Sequence, residues 1–444
     1  MDPGLFDAAL KHGCHYIGIT GNPYWVRSFL QDKYDVKASK KGLSWVPMAG
    51  FVSALGDYCV KAVVDHLRTK HGTTAKRVHV YHHSLGGGFS GSSLESGLRW
   101  AAEHPEQVKV FWENPFYFHR PKAAANTINK DLLDQRHARY DPISQLWVVG
   151  ETLGASANDN RSVHWSAHLA KRFASEDWGA DMSVHQYSLF PNKDVAEVSE
   201  SQEAMPPKKT FQAQADGKLP PVGFGLGERI RKETVISKLF YAEGENGKEC
   251  WLLCQAGPGG SGDGYEGTAT LALETALCLA AGELPKKAGV LPPGFAMSRS
   301  NIMKNLGEAG FRFRLHDGRP PVEVFRNIIQ ASMPLEDSGA ALADTAEGKA
   351  GALSAAAAPA AAPTPTAGGG PRWEVVASTC LVRTGADLKS PEAGRWARGV
   401  VLEQLEQQGS RYRARLVSGE GPGEGWVSAS VGGKEVIKPM AAAA

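Results

Sequence analysis

An α/β unit followed by a small all-β module is the architecture that this sequence predicts, and three observations carry it. Residues 337–371, DSGAALADTAEGKAGALSAAAAPAAAPTPTAGGGP, hold nothing large enough to pack, so this Ala/Pro/Gly run is expected to be a disordered linker between two folded units. Ahead of it, short apolar strands alternate with helical stretches, the rhythm of a parallel, doubly wound sheet. Behind it, short strands separated by turn residues follow one another, as in small β-barrels.

The 444 residues imply two or three domains, and 42% hydrophobic with 22% charged residues is ordinary for globular chains. A net charge of +2 gives no basic signature, so nucleic acid is not an expected partner. Six scattered cysteines (Cys14, Cys59, Cys250, Cys254, Cys278, Cys380) in mostly apolar contexts read as reduced thiols of an intracellular protein. No run of about 18 apolar residues predicts a membrane span. The start, MDPGLFDAALKHG, lacks the basic and apolar regions of a signal peptide.

Within the first unit, Leu5 to His12 reads as a helix and Tyr16 to Gly21 as a strand buried on both faces. A helix is expected over Trp25 to Lys40, a strand over Leu43 to Pro47, and a loop over Gly50 to Asp57. Asp57 then precedes the apolar-periodic run Tyr58 to Lys70, which makes it the expected helix N-cap. This is only the second half of a doubly wound pattern. Half a sheet would leave Tyr16–Ile19 with an exposed apolar edge, so an N-terminally incomplete chain is expected. Helices are further predicted over 94–103, 161–176, 267–282 and 298–309, the last closed by Gly310. The 267–282 helix is apolar on both sides and is expected to lie between layers. Residues 192–221, polar and Pro-rich, read as an exposed loop; 233–242 and 249–255 read as paired strands, and 311–315 as another. Cys250 and Cys254 fall on one side of such a strand, and no second Cys/His pair completes a zinc set.

Residues 78–91, VHVYHHSLGGGFSG, admit two incompatible chemistries. Strand, then His83-Ser84-Leu85-Gly86-Gly87, is the look of a nucleophile elbow, which would make Ser84 the nucleophile of a serine hydrolase. Glycine is needed two residues before and two after such a serine; Gly86 fits, but His82 occupies the earlier position. Asp141 or Asp159, followed by His164, His168 or His185, would have to complete the triad, and nothing around them selects one set. The other reading is a glycine-rich loop, Gly86 to Gly91. Gly223-Phe-Gly225-Leu-Gly227 has glycine spacing but a Pro-Pro lead-in and a strand after it, so it reads as a loop. His79, His82 and His83 are near-adjacent, yet no HExxH-type pair exists, and no metal is expected.

Residues 8–57, 84–97 and 267–315 resemble saccharopine dehydrogenase-like oxidoreductases, most specifically at His15-Tyr16, Thr20-Gly21, Trp25, Gly50-Phe51, Ser53, Asp57 and Gly87-Gly88-Phe89-Ser90-Gly91. Weaker similarity runs through 141–169, with Arg161, Val163, Ser166 and Leu169 matching a helix of that family. The resemblance implies a Rossmann domain binding NADP(H), a mixed α/β domain with a return to the first, and hydride transfer to a ketone, imine or enoyl substrate. Thr20, Gly21, Phe51 and Ser53 would line the nicotinamide side of the cleft; the resemblance nominates no catalytic residue. The branch resembled most implies lipid or glycolipid biosynthesis, in the cytoplasm with lipid-droplet or membrane association, and a small-molecule or lipid substrate. The Gly-rich phosphate-binding turn of the family is absent, and Val52 stands where an acid is usual. The boundaries expected are 1–75 for a partial Rossmann-type segment, 76–336 for the mixed α/β domain, 337–371 for the linker and 372–440 for the last module.

In that module five strands are expected: WEVVAS, a segment around Leu381, Arg398–Leu405, Tyr412–Leu416 and Gly425–Ser428. The run LVRTGADLKSPEAG with Gly425-Trp426-Val427 resembles bacterial-type SH3-like domains, which implies a barrel and a peptide or protein ligand. The competing reading of the whole chain is a non-catalytic scaffold, with the α/β unit forming a homodimer and the SH3-like segment recruiting a partner.

Overall fold

The computed structural model describes residues 3–85, 90–119, 130–132, 135, 137–150, 155–179, 182–203, 212, 220–225, 234–257, 264–330 and most of 372–439. The linker and the Gly86–Phe89 loop lie outside the described residues. The chain divides into two compact units, Met1–Ala350 and Gly351–Ala444.

In the first unit the strands are β1 (Tyr16–Ile17), β2 (Ser44–Val46), β3 (Ala75–Leu85), β4 (Arg139–Asp141), β5 (Leu146–Gly150), β6 (Ser183–Phe190), β7 (Val235–Gly244), β8 (Glu249–Ala256), β9 (Gly289–Val290) and β10 (Arg312–Asp317). The helices are α1 (Pro3–His12), α2 (Asp32–Lys40), α3 (Ala54–His71), α4 (Gly91–Glu103), α5 (Pro105–Glu113), α6 (Ala155–Leu169), α7 (Lys193–Glu203), α8 (Gly264–Ala280), α9 (Pro293–Ala296), α10 (Ile302–Glu308) and α11 (Val322–Gln330). Residues Trp25–Gln31 and Ala170–Ala174 wind as π-helix and run on from or into α-helix.

Strands β1, β2 and β9 form a small parallel sheet, in which β9 comes from late in the first unit and pairs with β2. The β1 strand is shorter than predicted. Its continuation is not buried on both faces: Ile19 is 61% exposed and touches Met48 only through an isolated bridge. Phe6 of α1 covers the sheet instead, with Tyr16, Trp25, Phe29, Tyr34 and Trp45 packed round its ring at 5.1–5.7 Å.

The larger sheet runs β10-β8-β7-β3-β6-β5-β4, parallel only between β3 and β6. Strand alternation splits its side chains between two cores. Val78, Val80, Ile236, Phe240, Ala242, Leu252 and Cys254 join the core that holds α3. Tyr81, Tyr187, Tyr241, Trp251 and Leu253 pack with Phe325 and Ile328 of α11. Cys250 and Cys254 both lie buried in the first core, as reduced thiols. Burial of these apolar side chains, worth about 1.5–3 kcal/mol for each Val, Leu, Ile, Phe or Met, supplies the drive for the fold.

Three expectations are corrected. The 192–221 stretch contains α7, whose apolar Val195 and Val198 face solvent, so no buried stripe marks it in the sequence. Helix α8 is not enclosed between layers: Leu271 and Cys278 are buried, but Leu273 and Leu277 are 58% and 50% exposed. Helix α3 begins at Ala54, four residues earlier than predicted, so Asp57 is inside the helix and not at its cap; the cap position belongs to Ser53.

The second unit has β11 (Arg372–Val375), β12 (Thr379–Arg383), β13 (Glu392–Ala397), β14 (Val401–Gln408), β15 (Arg411–Ser418), β16 (Glu424–Ser428), β17 (Ser430–Val431), β18 (Lys434–Glu435) and β19 (Ile437–Pro439). Seven of them form one sheet, β13-β12-β16-β15-β14-β11-β19, and β17 pairs with β18. The five expected strands are all present, with more beside them. No pairing among the described residues closes this sheet into the predicted barrel. Its core gathers Val375, Val382, Trp396, Leu402, Ala414 and Val427. Trp396 Nε1 donates to the Pro422 carbonyl at 2.7 Å, and the Arg411 guanidinium to Ser428 Oγ at 3.0 Å.

Candidate functional site

The loop between β2 and α3 is where the predicted site residues gather. Gly18 and Thr20 hydrogen-bond the β2 segment, Thr20 N donating to the Pro47 carbonyl at 3.0 Å and Ala49 N to that of Gly18 at 2.8 Å. The chain then turns sharply at Ser53, whose φ of 87° is rare for a residue with a Cβ. That turn sends Ser53 N toward Asp159 Oδ1, at 2.5 Å, near the start of α6. Phe51 N donates to Thr268 Oγ1 in the first turns of α8 at 3.0 Å. The Gly21 carbonyl accepts from Asn158 Nδ2 at 2.9 Å. Gly21, Phe51 and Ser53, separated by thirty residues in the chain, are thus held by neighbouring side chains of α6 and by α8, while Thr20 is held by the Pro47 carbonyl.

Beneath the loop lies a buried polar cluster. Asp159, fully buried, pairs with Lys238 Nζ at 3.2 Å, and the Lys238 side chain is only 4% exposed. A lysine on the inward face of β7, between Ile236 and Phe240, is tolerated there because a carboxylate meets it. Its ammonium also sits 5.4 Å from the Phe51 ring centroid. Gly56 is glycine for a packing reason, since a Cβ there would stand 2.8 Å from Asp159 Oδ2.

One turn further along α3, Asp57 is fully buried and its Oδ2 accepts from Ser166 Oγ at 2.7 Å, Gly294 N at 2.8 Å and Ser162 Oγ at 3.0 Å. Burial pushes this carboxyl up to about 6 against the pull of those three donors, and the charge of Asp159 adds to the push. A Cβ at Gly294 would lie 2.4 Å from Asp57 Oδ1. Ser166 Oγ also accepts from Phe295 N at 3.0 Å, so the carboxylate knots α3, α6 and α9 together. Cys59 lies against Cys254 nearby, its thiol pushed well above the ordinary range by burial and by Cys254.

Three buried polar atoms of the cluster have no hydrogen-bond partner among the described residues: Asp57 Oδ1, deep against α9, and Ser53 Oγ and Asn158 Oδ1, on the residues that hold the loop. Such atoms cost free energy unless something answers them, so the two at the loop are where a polar ligand group would be accepted.

Sequence reasoning missed Asn158 and Lys238, and weighed Asp159 only as a triad acid. The signal for Lys238 was available: a lysine in phase with the apolar residues of a strand. Ser84 does not occupy an elbow. It lies within β3, in register with Ile236, where an elbow needs a serine beyond the strand end; Asp159 is committed to Ser53 and Lys238, and Asp141 to Ser144 at 2.7 Å. Of the GxGxG stretch, Gly223 adopts φ 88° in a turn, as expected of a loop. His79 is buried on β3, its imidazole pushed down to about 3, chiefly by burial. Arg161, which the family resemblance had picked out, is a structural residue: buried, it donates to the Phe111 carbonyl at 2.9 and 3.0 Å and lies 4.6 Å from the Phe111 ring centroid. A separate cleft of about 390 Å³ opens between the Trp25–Gln31 segment and α6; His168 lines it, and Thr20, Gly21, Phe51 and Ser53 do not.

No family model and no curated protein sequence matches the chain. Among solved structures it is similar to apo histidine-tagged saccharopine dehydrogenase (L-Glu forming) from Saccharomyces cerevisiae, with 12% identity and a TM-score of 0.33, over 70% of this chain and 82% of that one. That likeness is distant and concerns the fold alone.

Proposed function

We propose that the first unit is an oxidoreductase unit that works with NADP(H) on a ketone, imine or enoyl carbon of a small molecule or lipid. What carries the reading is the meeting of Gly21, Phe51 and Ser53 at Asn158, Thr268 and Asp159. Two of the unanswered atoms, Ser53 Oγ and Asn158 Oδ1, fit the nicotinamide carboxamide, which offers both a donor and an acceptor. When bound, the reduced cofactor supplies the hydride. Lys238, held as a buried cation by Asp159, is the group placed to favour negative charge developing on the substrate's oxygen or nitrogen. Asp57 fixes α3 against α6 and α9 and so sets the height of the loop.

These residues fit the nicotinamide end of the cofactor and not its phosphates. The first amides of α3 are taken by Asp159 and the Gly50 carbonyl, and two carboxylates stand close by. This favours, as a second reading, a scaffold whose α/β unit retains the cleft without the chemistry. Titrating the full chain with NADPH, followed by nicotinamide fluorescence, separates the two. Saturable binding that weakens at least tenfold in Asn158→Ala supports the oxidoreductase reading; no saturable binding of NADPH or NADH leaves the scaffold.

A further inference from the structure

We propose that His66, His71 and Asp317 form a binding site for a divalent transition metal, with Zn²⁺ the ion that suits the donor set best. His66 Nε2 and His71 Nε2 lie 2.7 and 2.8 Å from the same oxygen, Asp317 Oδ1, and the three ligand atoms all fall within 4.8 Å of one another. The histidines come from the last turn and a half of α3, which Gly72 then ends in left-handed conformation. Asp317 is the last residue of β10, about 250 positions later in the chain. The imidazoles stand edge to face, with centroids 5.6 Å apart and planes at 73°, so their nitrogens converge from different directions and do not stack.

Two imidazoles and a carboxylate are a borderline-soft set that selects zinc and its neighbours over magnesium or calcium. A tetrahedral zinc with bonds of about 2.0–2.1 Å sets its ligands about 3.3 Å apart. The present nitrogen–oxygen separations are short of that by about half an ångström, within reach of small side-chain rotations. The two imidazoles are held, at 12% and 17% exposure, while Asp317 is 45% exposed, which leaves a fourth position open to water or a further ligand. Lys70 opposes the ion: its ammonium is 2.5 Å from Asp317 Oδ2, yet it is 54% exposed on a flexible stem and can withdraw into solvent. Binding here would clip the end of α3 to the outer strand of the seven-stranded sheet, independently of any chemistry at the Lys238 cluster.

The test uses the full chain without an affinity tag, stripped with a chelator and titrated with Zn²⁺ against a chromophoric competitor. One equivalent is expected to bind with micromolar or tighter affinity and to raise the melting temperature. His66→Gln and His71→Gln should each weaken binding at least about tenfold. Lys70→Met, which removes a like charge beside the ion, should strengthen it by about tenfold. The metal-free melting temperatures of the three variants show whether each is folded. Cys14→Ser, at an exposed thiol, should change nothing. Zinc binding that survives both histidine substitutions, that disappears in Cys14→Ser, or that is absent from wild type and Lys70→Met alike overturns the proposal.

Discussion

Replacing Asp57 by Asn tests the buried cluster most directly. The carboxyl is fully buried, and burial raises it from the ordinary 3.8 to about 6. An acid whose folded pKa is raised contributes most below its unfolded value, and that contribution is lost as pH climbs through the folded one. The span from 3.8 to about 6 corresponds to about 3 kcal/mol, the amount by which ionised Asp57 weighs on the fold above neutrality. Asn keeps an acceptor for Ser162, Ser166 and Gly294 and carries no charge, so the variant should lack this pH dependence. Urea unfolding read by the helical circular dichroism signal is the appropriate assay, because every helix among the described residues belongs to the first unit. Between about pH 3 and pH 8, the stability of wild type relative to Asp57→Asn should fall by about 3 kcal/mol, most steeply near pH 5. Parallel curves for the two proteins would refute the account and mean that Asp57 is solvated or neutralised in a way that this geometry does not contain.

Three further outcomes follow from the same geometry. Ser53→Gly should stabilise the first unit by about 1 kcal/mol in urea, because it removes a Cβ from a φ of 87°; a loss of stability would show that the turn is not strained. Lys238→Met should cost about 3–5 kcal/mol by stranding Asp159, and Asp159→Asn in the same chain should restore most of it; an additive double-mutant cycle would dissolve the pair. His79→Phe should remove an acid sensitivity of opposite sign to that of Asp57. With its folded pKa lowered to about 3, His79 contributes stability that is present above 6.5 and lost as pH falls toward 3, up to about 5 kcal/mol, and identical acid unfolding of the variant would count against a buried neutral imidazole.

Much of the first unit was legible because its elements announce themselves locally. Apolar periodicity located α3 and the strand pair β7–β8. The errors share a cause. Asp57 before an apolar run has the chemistry of a cap, but its neighbours Ser162, Ser166 and Gly294 are 105 to 237 positions away, and no local window holds them. The same distance hid the meeting of His66 and His71 with Asp317. Helix α7 escaped because it buries so little, although Asn192, whose side chain accepts from Val195 N at 3.0 Å, was a legible start signal. In the second unit the strand count fell short because β13 and the residues after β16 are too short and polar to stand out.

The polar cluster also explains why the strained turn persists. A buried lysine and two buried carboxylates are a poor way to stabilise a core, since apolar residues of similar volume would serve as well or better. What they supply is position. The Lys238 ammonium keeps Asp159 charged inside the core; charged, Asp159 can bind Ser53 N strongly enough to hold a φ that serine ordinarily avoids. That backbone turn in turn fixes Phe51 above the same ammonium and presents its amide to Thr268. Each contact depends on the one before it, and the sequence of causes begins with a cation that the strand could have done without. A cluster of this kind sets a loop in place before any ligand arrives, and two of the polar atoms it leaves unanswered, Ser53 Oγ and Asn158 Oδ1, lie on that loop and on the helix that grips it.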